Sequence, residues 1–246
     1  MIWRFYLQKA RNANFRGDVE EAAEYMLKML KWHPNISSKI LAGYYLLKIG
    51  KTDLARKVFE NDIMTDRKVV KGDLVKSDGS IKINRDEMLA KTNYALLLWK
   101  EGELNRAIEL TEYVFKRYKT TVVYSNLGYF YILKGDLEKA LDFNLEAYDF
   151  APDNNVIADN LGCTYLALGD LDEADTFYEE LMAKPKPPKF PEAYYNYGLV
   201  KEKKGEFQQA LELYRKAESF PFSNLSNVGK EDVEEAIERM EKAVQE

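Results

Sequence analysis

Four asparagines recur at nearly equal spacing, and they are the residues whose type and spacing most suggest a binding role. Successive members lie 33, 34 and 36 residues apart, at Asn93, Asn126, Asn160 and Asn196. An asparagine amide carries both a donor and an acceptor, so it can pair with the N–H and C=O groups of an extended peptide. The same amide can instead bond to a neighbouring helix of its own chain. The sequence leaves both interpretations open.

The sequence contains few residues of the types that catalytic and metal sites usually require. The chain has one histidine, His33, and one cysteine, Cys163. Most metal sites and catalytic triads need several such residues, and a lone cysteine forms no intrachain disulfide. The sequence contains neither a glycine-rich phosphate loop nor a nucleophile elbow. We therefore predict a non-enzymatic protein with no catalytic residues, no metal and no cofactor.

The composition is that of a folded, mildly acidic protein. Of 246 residues, 46% are hydrophobic and 31% charged, and 36 basic against 41 acidic side chains give a net charge of −5. A negative chain is a poor match for the phosphate backbone, so nucleic acid is not an expected partner.

Neither a membrane span nor an export signal is predicted. The longest apolar run, residues 94–99, has six residues, whereas a spanning helix needs about 20. We therefore expect a cytoplasmic protein. Trp3, Phe5 and Tyr6 followed by Lys9 and Arg11 also suit a soluble domain tethered by an upstream membrane anchor, although packing of a first helix is the simpler explanation and the one we favour.

A repeat of about 34 residues organises most of the chain. Six glycines are each followed five residues later by an alanine, and successive glycines are 33, 52, 33, 34 and 36 residues apart. The glycines are Gly17, Gly50, Gly102, Gly135, Gly169 and Gly205. Around each glycine, apolar residues recur at three- and four-residue steps, which predicts two helices joined at the glycine.

The strings GDLEKAL (135–141) and GDLDEAD (169–175), each preceded by an aromatic-rich segment with a Leu-Gly pair, resemble the tetratricopeptide repeat. The resemblance implies an all-α, right-handed superhelical solenoid of about six helix-turn-helix repeats with a C-terminal capping helix. We expect repeats 1–2 at 3–62, repeats 3–6 at 88–222 and the capping helix within 223–246. On that helix, Val233, Ile237, Met240 and Val244 form the apolar face.

The enlarged gap, residues 63–87, is predicted to be an inserted loop. Asp78-Gly79 flanked by Leu74, Val75, Ile81 and Ile83 indicates a short hairpin. A specificity loop over the binding surface and a tolerated surface excursion both fit this insertion.

The resemblance also implies that the first helix of each repeat lines a concave groove that holds a protein or peptide ligand. The four asparagines would contact its backbone, and Trp99, Tyr129, Leu166 and Tyr195 would contact its apolar side chains. The carboxylate clamp of chaperone-binding relatives is not expected, because the corresponding positions carry Thr92, Leu96, Asn126, Val156 and Asn160. The alternative is a self-assembling module, a homo-oligomer in which another copy fills the groove or docks on an edge.

Overall fold

The structure, a computed structural model, describes residues 2–66, 69, 74–75 and 81–245, and in this part the fold is helical apart from one short hairpin. The helices are α1 Ile2–Phe15, α2 Val19–Trp32, α3 Ile36–Lys48, α4 Thr52–Lys57 with a π-helical continuation Val58–Ile63, α5 Arg85–Lys100, α6 Leu104–Phe115, α7 Thr121–Lys134, α8 Leu137–Phe150, α9 Asn155–Leu168, α10 Leu171–Ala183, α11 Pro191–Lys203, α12 Phe207–Glu218 and α13 Lys230–Gln245. Consecutive helices pair around the six repeat glycines, which confirms the all-α repeat architecture. The handedness of the superhelix stays a prediction.

The repeat glycines end the first helix of each pair. Gly135, the C-cap of α7, has φ 77°, and its N–H donates to the carbonyl of Ile132 at 2.9 Å. This left-handed conformation is the one that glycine adopts without the steric cost of a Cβ. The chain then turns directly into α8, which ends at Phe150, two residues before Pro152.

Small residues allow the two helices of a pair to approach closely. A Cβ built on Gly162 would lie 2.7 Å from the Tyr178 ring, and one on Gly198 would lie 2.5 Å from the Tyr214 ring. Real Cβ atoms do not tolerate such distances, so each glycine leaves the space that the facing aromatic ring fills. The interior is built from these interlocked pairs.

The chain forms two compact units. The first comprises Met1–Lys119 with Ser223–Leu225, and the second comprises Thr120–Phe222 with Ser226–Glu246. Helices α1–α6 belong to the first unit and α7–α13 to the second. Each unit therefore contains three of the predicted repeats.

The inserted segment contains the predicted hairpin strands. β1, Leu74–Val75, pairs antiparallel with β2, Ile81–Lys82, with Val75 opposite Ile81. The predicted turn at Asp78-Gly79 lies outside the described residues, as do Arg67, Lys68, Lys71 and Lys76. The first helix of the third repeat starts at Arg85. Residues 85–87, which were predicted to end the loop, are therefore helical.

The C-terminal helix packs on the last repeat through the predicted face, although that face is exposed at its C-terminal end. α13 begins at Lys230, and Val233 and Met240 are buried, whereas Val244 is 43% exposed. Ser223–Leu225 pack in the first unit, where the Asn224 N–H donates to the carbonyl of Lys48 at 2.8 Å. The segment 223–246 is thus a loop followed by a helix.

Candidate functional site

Side chains from three first helices of the second unit meet on one surface, which we call the inner face. It is made of Tyr129 on α7, Asp159 and Cys163 on α9, and Glu192 on α11. Burial raises the pKa of Tyr129, and Cys163, Glu192 and Asp159 raise it further to a smaller extent. These three groups therefore lie near enough to Tyr129 to interact with it electrostatically. The inner face therefore combines one phenol, one thiol and two carboxyl groups.

A non-helical segment of the chain, Ser226–Val228, is held on the inner face. Burial raises the pKa of both Tyr129 and Glu192, and the side chains of Asn227 and Ser226 oppose that rise, so Asn227 lies beside Tyr129 and Ser226 beside Glu192. The Val228 side chain is buried in a cluster with Tyr194, while the Ser226 hydroxyl donates to the Val228 carbonyl at 2.7 Å. We call Ser226–Val228 the anchoring segment. It links the loop before α13 to α7 and α11.

Two of the four predicted asparagines turn their amides into the protein. Asn160 is 5% exposed and donates its Nδ2 to the carbonyl of Ser125 at 2.7 Å. Asn196 is 5% exposed and donates its Nδ2 to Oδ1 of Asp159 at 3.1 Å. Both bonds join the first helix of one repeat to that of the repeat before it. These are the internal bonds that the second interpretation of the sequence predicts.

The other two asparagines are half-buried. The Nδ2 atom of Asn126 is buried and has no hydrogen-bond partner in the described part of the chain. A buried amide left without a partner costs roughly 1–3 kcal/mol. Asn126 therefore carries a buried donor whose pairing with a water molecule or a ligand group would recover this cost. Asn93 lies on α5, in the first unit.

The four predicted apolar contact residues are half-buried and lie in different surroundings. Leu166 packs against the core cluster that contains Tyr178, and the Tyr195 ring lies 5.4 Å from that of Tyr214. Tyr129 belongs to the inner face and lies beside Asn227 of the anchoring segment. Trp99 lies in the first unit, with the Lys100 ammonium 4.8 Å from its ring. Leu166 and Tyr195 thus also serve the packing of the second unit.

A buried carboxyl group at the centre of the inner face escaped the sequence analysis. Asp159 is 6% exposed and accepts hydrogen bonds from the Tyr178 hydroxyl at 2.9 Å and from Asn196. Burial raises its pKa to about 7, although the two hydrogen bonds oppose the rise. An alignment of the repeats could have revealed this carboxyl group, because the positions equivalent to Asp159 carry the uncharged residues Thr92 and Ser125.

A second buried charge lies in the last repeat. Lys201, which occupies a position where the repeat pattern has an aromatic residue, is 8% exposed. Its ammonium lies 2.6 Å from Asp175 and 3.0 Å from Glu206. Desolvation acts against the charged form, but these contacts raise the pKa of Lys201 overall. Lys201 therefore serves as a structural ion-pair partner between α10 and α11.

The cysteine and the histidine that were considered for catalysis are held in packing contacts. Burial raises the pKa of the Cys163 thiol to about 12, and His33 stacks on Trp3 with 4.5 Å between ring centroids. Over the residues that the structure describes, no group of three or more His, Cys, Asp or Glu side chains could hold a metal ion. Within the same residues, every helix is too short or too polar to cross a membrane.

Stacked helix-turn-helix units with glycine-capped first helices define a helical repeat protein. Two family models, each described as tetratricopeptide repeat, match residues 122–154 and 160–224. Residues 122–154 and 160–224 are therefore tetratricopeptide repeats, as the sequence pattern predicts. No curated protein matches the sequence.

Solved structures share this fold. A tetratricopeptide repeat protein from Parabacteroides merdae is 14% identical with a TM-score of 0.50, covering 97% of this chain and 98% of its own. The thermophilic protein TTC0263 from Thermus thermophilus is 17% identical with a TM-score of 0.52, covering 99% and 100%. A chain of the APC/C hetero-tetramer Cut9-Hcn1 is 17% identical with a TM-score of 0.68, covering 96% of this chain and 42% of its own. At these identities the likeness concerns the fold.

Proposed function

We propose that this protein is a non-enzymatic scaffold for protein–protein interaction, and that it binds a protein segment on the inner face. The observation that carries the proposal is the anchoring segment. A stretch of chain without helical structure already lies beside this surface, with Asn227 next to Tyr129, Ser226 next to Glu192 and the Val228 side chain buried. A surface that holds three residues of its own chain in this way has the chemistry to hold a similar segment of a partner.

The polar groups of the inner face suit a peptide backbone. Glu192 supplies an acceptor, and Asn126, one turn before Tyr129 on α7, adds a donor that has no partner within the described residues. Tyr129 supplies a hydroxyl that can donate or accept. A partner segment would use these three groups and displace Ser226 and Asn227 from two of them. The anchoring segment then acts as an internal competitor for the same surface.

The remaining predicted residues take different parts in this proposal. Asn160 and Asn196 position α9 and α11 through their internal bonds, so the inner face keeps its spacing. Tyr195 offers apolar surface beside the last repeat. Asn93 and Trp99 would contribute to a separate binding surface on the first unit.

The Cut9-Hcn1 structure adds support at the level of fold. That structure is a hetero-tetramer, so a chain of the same fold takes part in a protein complex. We infer from it only that stacked repeats of this kind can serve in complex formation.

Affinity capture with the wild-type chain and two matched variants tests the proposal. Asn126→Ala removes a donor that is free for a ligand, whereas Asn160→Ala removes one that is bonded to Ser125. We expect captured polypeptides to be lost with Asn126→Ala, which should melt at the wild-type temperature or above it because it removes an unpartnered buried amide. Asn160→Ala should lower the melting temperature. Light scattering shows whether the captured species is a second copy. Unchanged capture by Asn126→Ala would contradict the proposal.

A further inference from the structure

Helix α1 has an outward surface of unusual composition for this acidic chain. Two of its phenylalanines are exposed, Phe5 at 55% and Phe15 at 92%. The charged residues of the helix are all cations, namely Arg4, Lys9 and Arg11. The chain as a whole carries a net charge of −5. Helix α1 therefore combines exposed aromatic residues with cations and has no acidic residue.

The exposed rings and the cations lie on the same side of α1. With 3.6 residues per turn, Phe5 and Phe15 are about 80° apart around the helix axis and about 15 Å apart along it. Arg4 and Arg11 flank the rings on one side, and Lys9 flanks them on the other, each within about 80° of their mean direction. We call these five residues the basic-aromatic face.

The opposite side of α1 packs in the core. Ala10 and Ala13 are buried there in the cluster that α1 forms with α2 and α3. The helix is thus fixed in orientation by its small buried residues, and the basic-aromatic face points away from the packing. Its exposure follows from the fold of the first unit alone.

The cations stay close to aromatic rings. The guanidinium of Arg4 lies 5.3 Å from the Trp3 ring, and the ammonium of Lys9 lies 5.6 Å from the Phe5 ring. In this arrangement the charge is placed beside apolar surface, with no carboxylate of the same helix to neutralise it. The matching surface is one that offers negative charge above an apolar layer.

We propose that the basic-aromatic face docks the protein on an anionic phospholipid surface. The Phe5 and Phe15 rings would enter the headgroup region, and Arg4, Lys9 and Arg11 would pair with lipid phosphates and carboxylates. A lipid surface suits the geometry better than a protein groove, because two rings about 15 Å apart on a convex helix have no pocket in common. This docking uses the first unit and is independent of peptide binding on the second.

Vesicle co-sedimentation of the full chain tests this inference. The probes are phosphatidylcholine vesicles with and without phosphatidylserine. We expect sedimentation only with phosphatidylserine and weaker sedimentation as salt is raised. The triple variant R4Q/K9Q/R11Q should lower the partition coefficient about a hundredfold, since each cation contributes about fivefold. The double variant F5S/F15S should lower it several-fold.

Matched variants provide the controls. K116Q/K189Q/K203Q removes the same number of cations from other exposed positions, and Val122→Ser removes an exposed apolar side chain on α7. Both should sediment like the wild type. The inference is overturned if the wild type ignores phosphatidylserine, if the controls lose as much binding as R4Q/K9Q/R11Q, or if light scattering shows α1-dependent self-association without vesicles. The wild-type measurement alone decides the matter should a variant fail to fold.

Discussion

Asn196 on α11 donates its side-chain amide to the buried carboxyl group of Asp159 on α9, with 3.1 Å between Nδ2 and Oδ1. The hydroxyl of Tyr178 donates to the same oxygen at 2.9 Å. One ionisable group thus receives two donors from neighbouring helices in a place that water scarcely reaches. The relationship ties two repeats together and makes their packing dependent on the protonation of Asp159.

The stability of the second unit should depend on pH through Asp159. Burial raises the folded-state pKa to about 7 from an ordinary value of 3.8, so the folded state binds the proton more tightly. The contribution of a protonated Asp159 is complete below about pH 4 and is lost as pH rises to about 7, on the order of 4 kcal/mol in all. Thermal melts across this pH range measure the loss.

Asp159→Asn provides the direct test of that dependence. The asparagine keeps an acceptor for Tyr178 and Asn196 but carries no charge, so the variant should be more stable than the wild type above pH 7 and lack the pH slope. Asp153→Asn, at an exposed position, is the matched control and should keep the slope. If Asp159→Asn melts with the pH dependence of the wild type, another group is responsible.

Gly198, inside a helix, and the repeat glycine Gly205 should respond to substitution in opposite ways. At Gly198 a Cβ would meet the Tyr214 ring at 2.5 Å, so Ala should cost about 1–3 kcal/mol and the larger Asn more. At Gly205 nothing lies within 4 Å of a Cβ, but φ is 78°. There Asn should cost less than Ala, because Asn tolerates the left-handed conformation. Denaturant melts of the four variants give the ranking, and the same order at both positions would refute the explanation.

The capping role of α13 should reside in its buried side chains. Met240 is 2% exposed and packs in a cluster with Leu211 and Tyr214, so Met240→Ala should lower the free energy of unfolding by about 2–4 kcal/mol. Val244→Ala, on the same helix, should change it by less than about 0.5 kcal/mol because that side chain is exposed. Chemical denaturation of both variants is the measurement. Equal effects would mean that α13 does not cap the last repeat through the contacts described.

The repeat register could be predicted from the sequence because it depends on local requirements. Gly135 must adopt a left-handed conformation, and Gly198 must leave room for an aromatic ring, and both needs exclude nearly every other residue. Such positions show in the sequence as a strict period. The hairpin strands were predictable for the same reason, since alternation and turn residues are local signals.

The use made of each asparagine could not be predicted, because an amide bonds equally well inward and outward. Asn160 and Asn196 bond inward since a carbonyl of Ser125 and the carboxyl of Asp159 lie within reach on the preceding first helix. Val244 lies on the predicted apolar face and is nevertheless exposed, because periodicity identifies the face of a helix and not where its neighbour ends. The anchoring segment has no periodicity at all, so only its contacts reveal its place.

Binding of a synthetic peptide of residues 220–229 is the most direct test of the inner face as a peptide-binding surface. Fluorescence anisotropy would follow the labelled peptide on a variant in which a Gly-Ser linker of equal length replaces Ser226–Val228. We predict saturable binding to this variant, weaker binding to the wild type whose surface is occupied, and a loss of about two- to tenfold when Tyr129→Phe is added. Tyr148→Phe, on α8, should have no effect. Absence of binding to the linker variant, or equal affinity with and without Tyr129→Phe, would contradict the account.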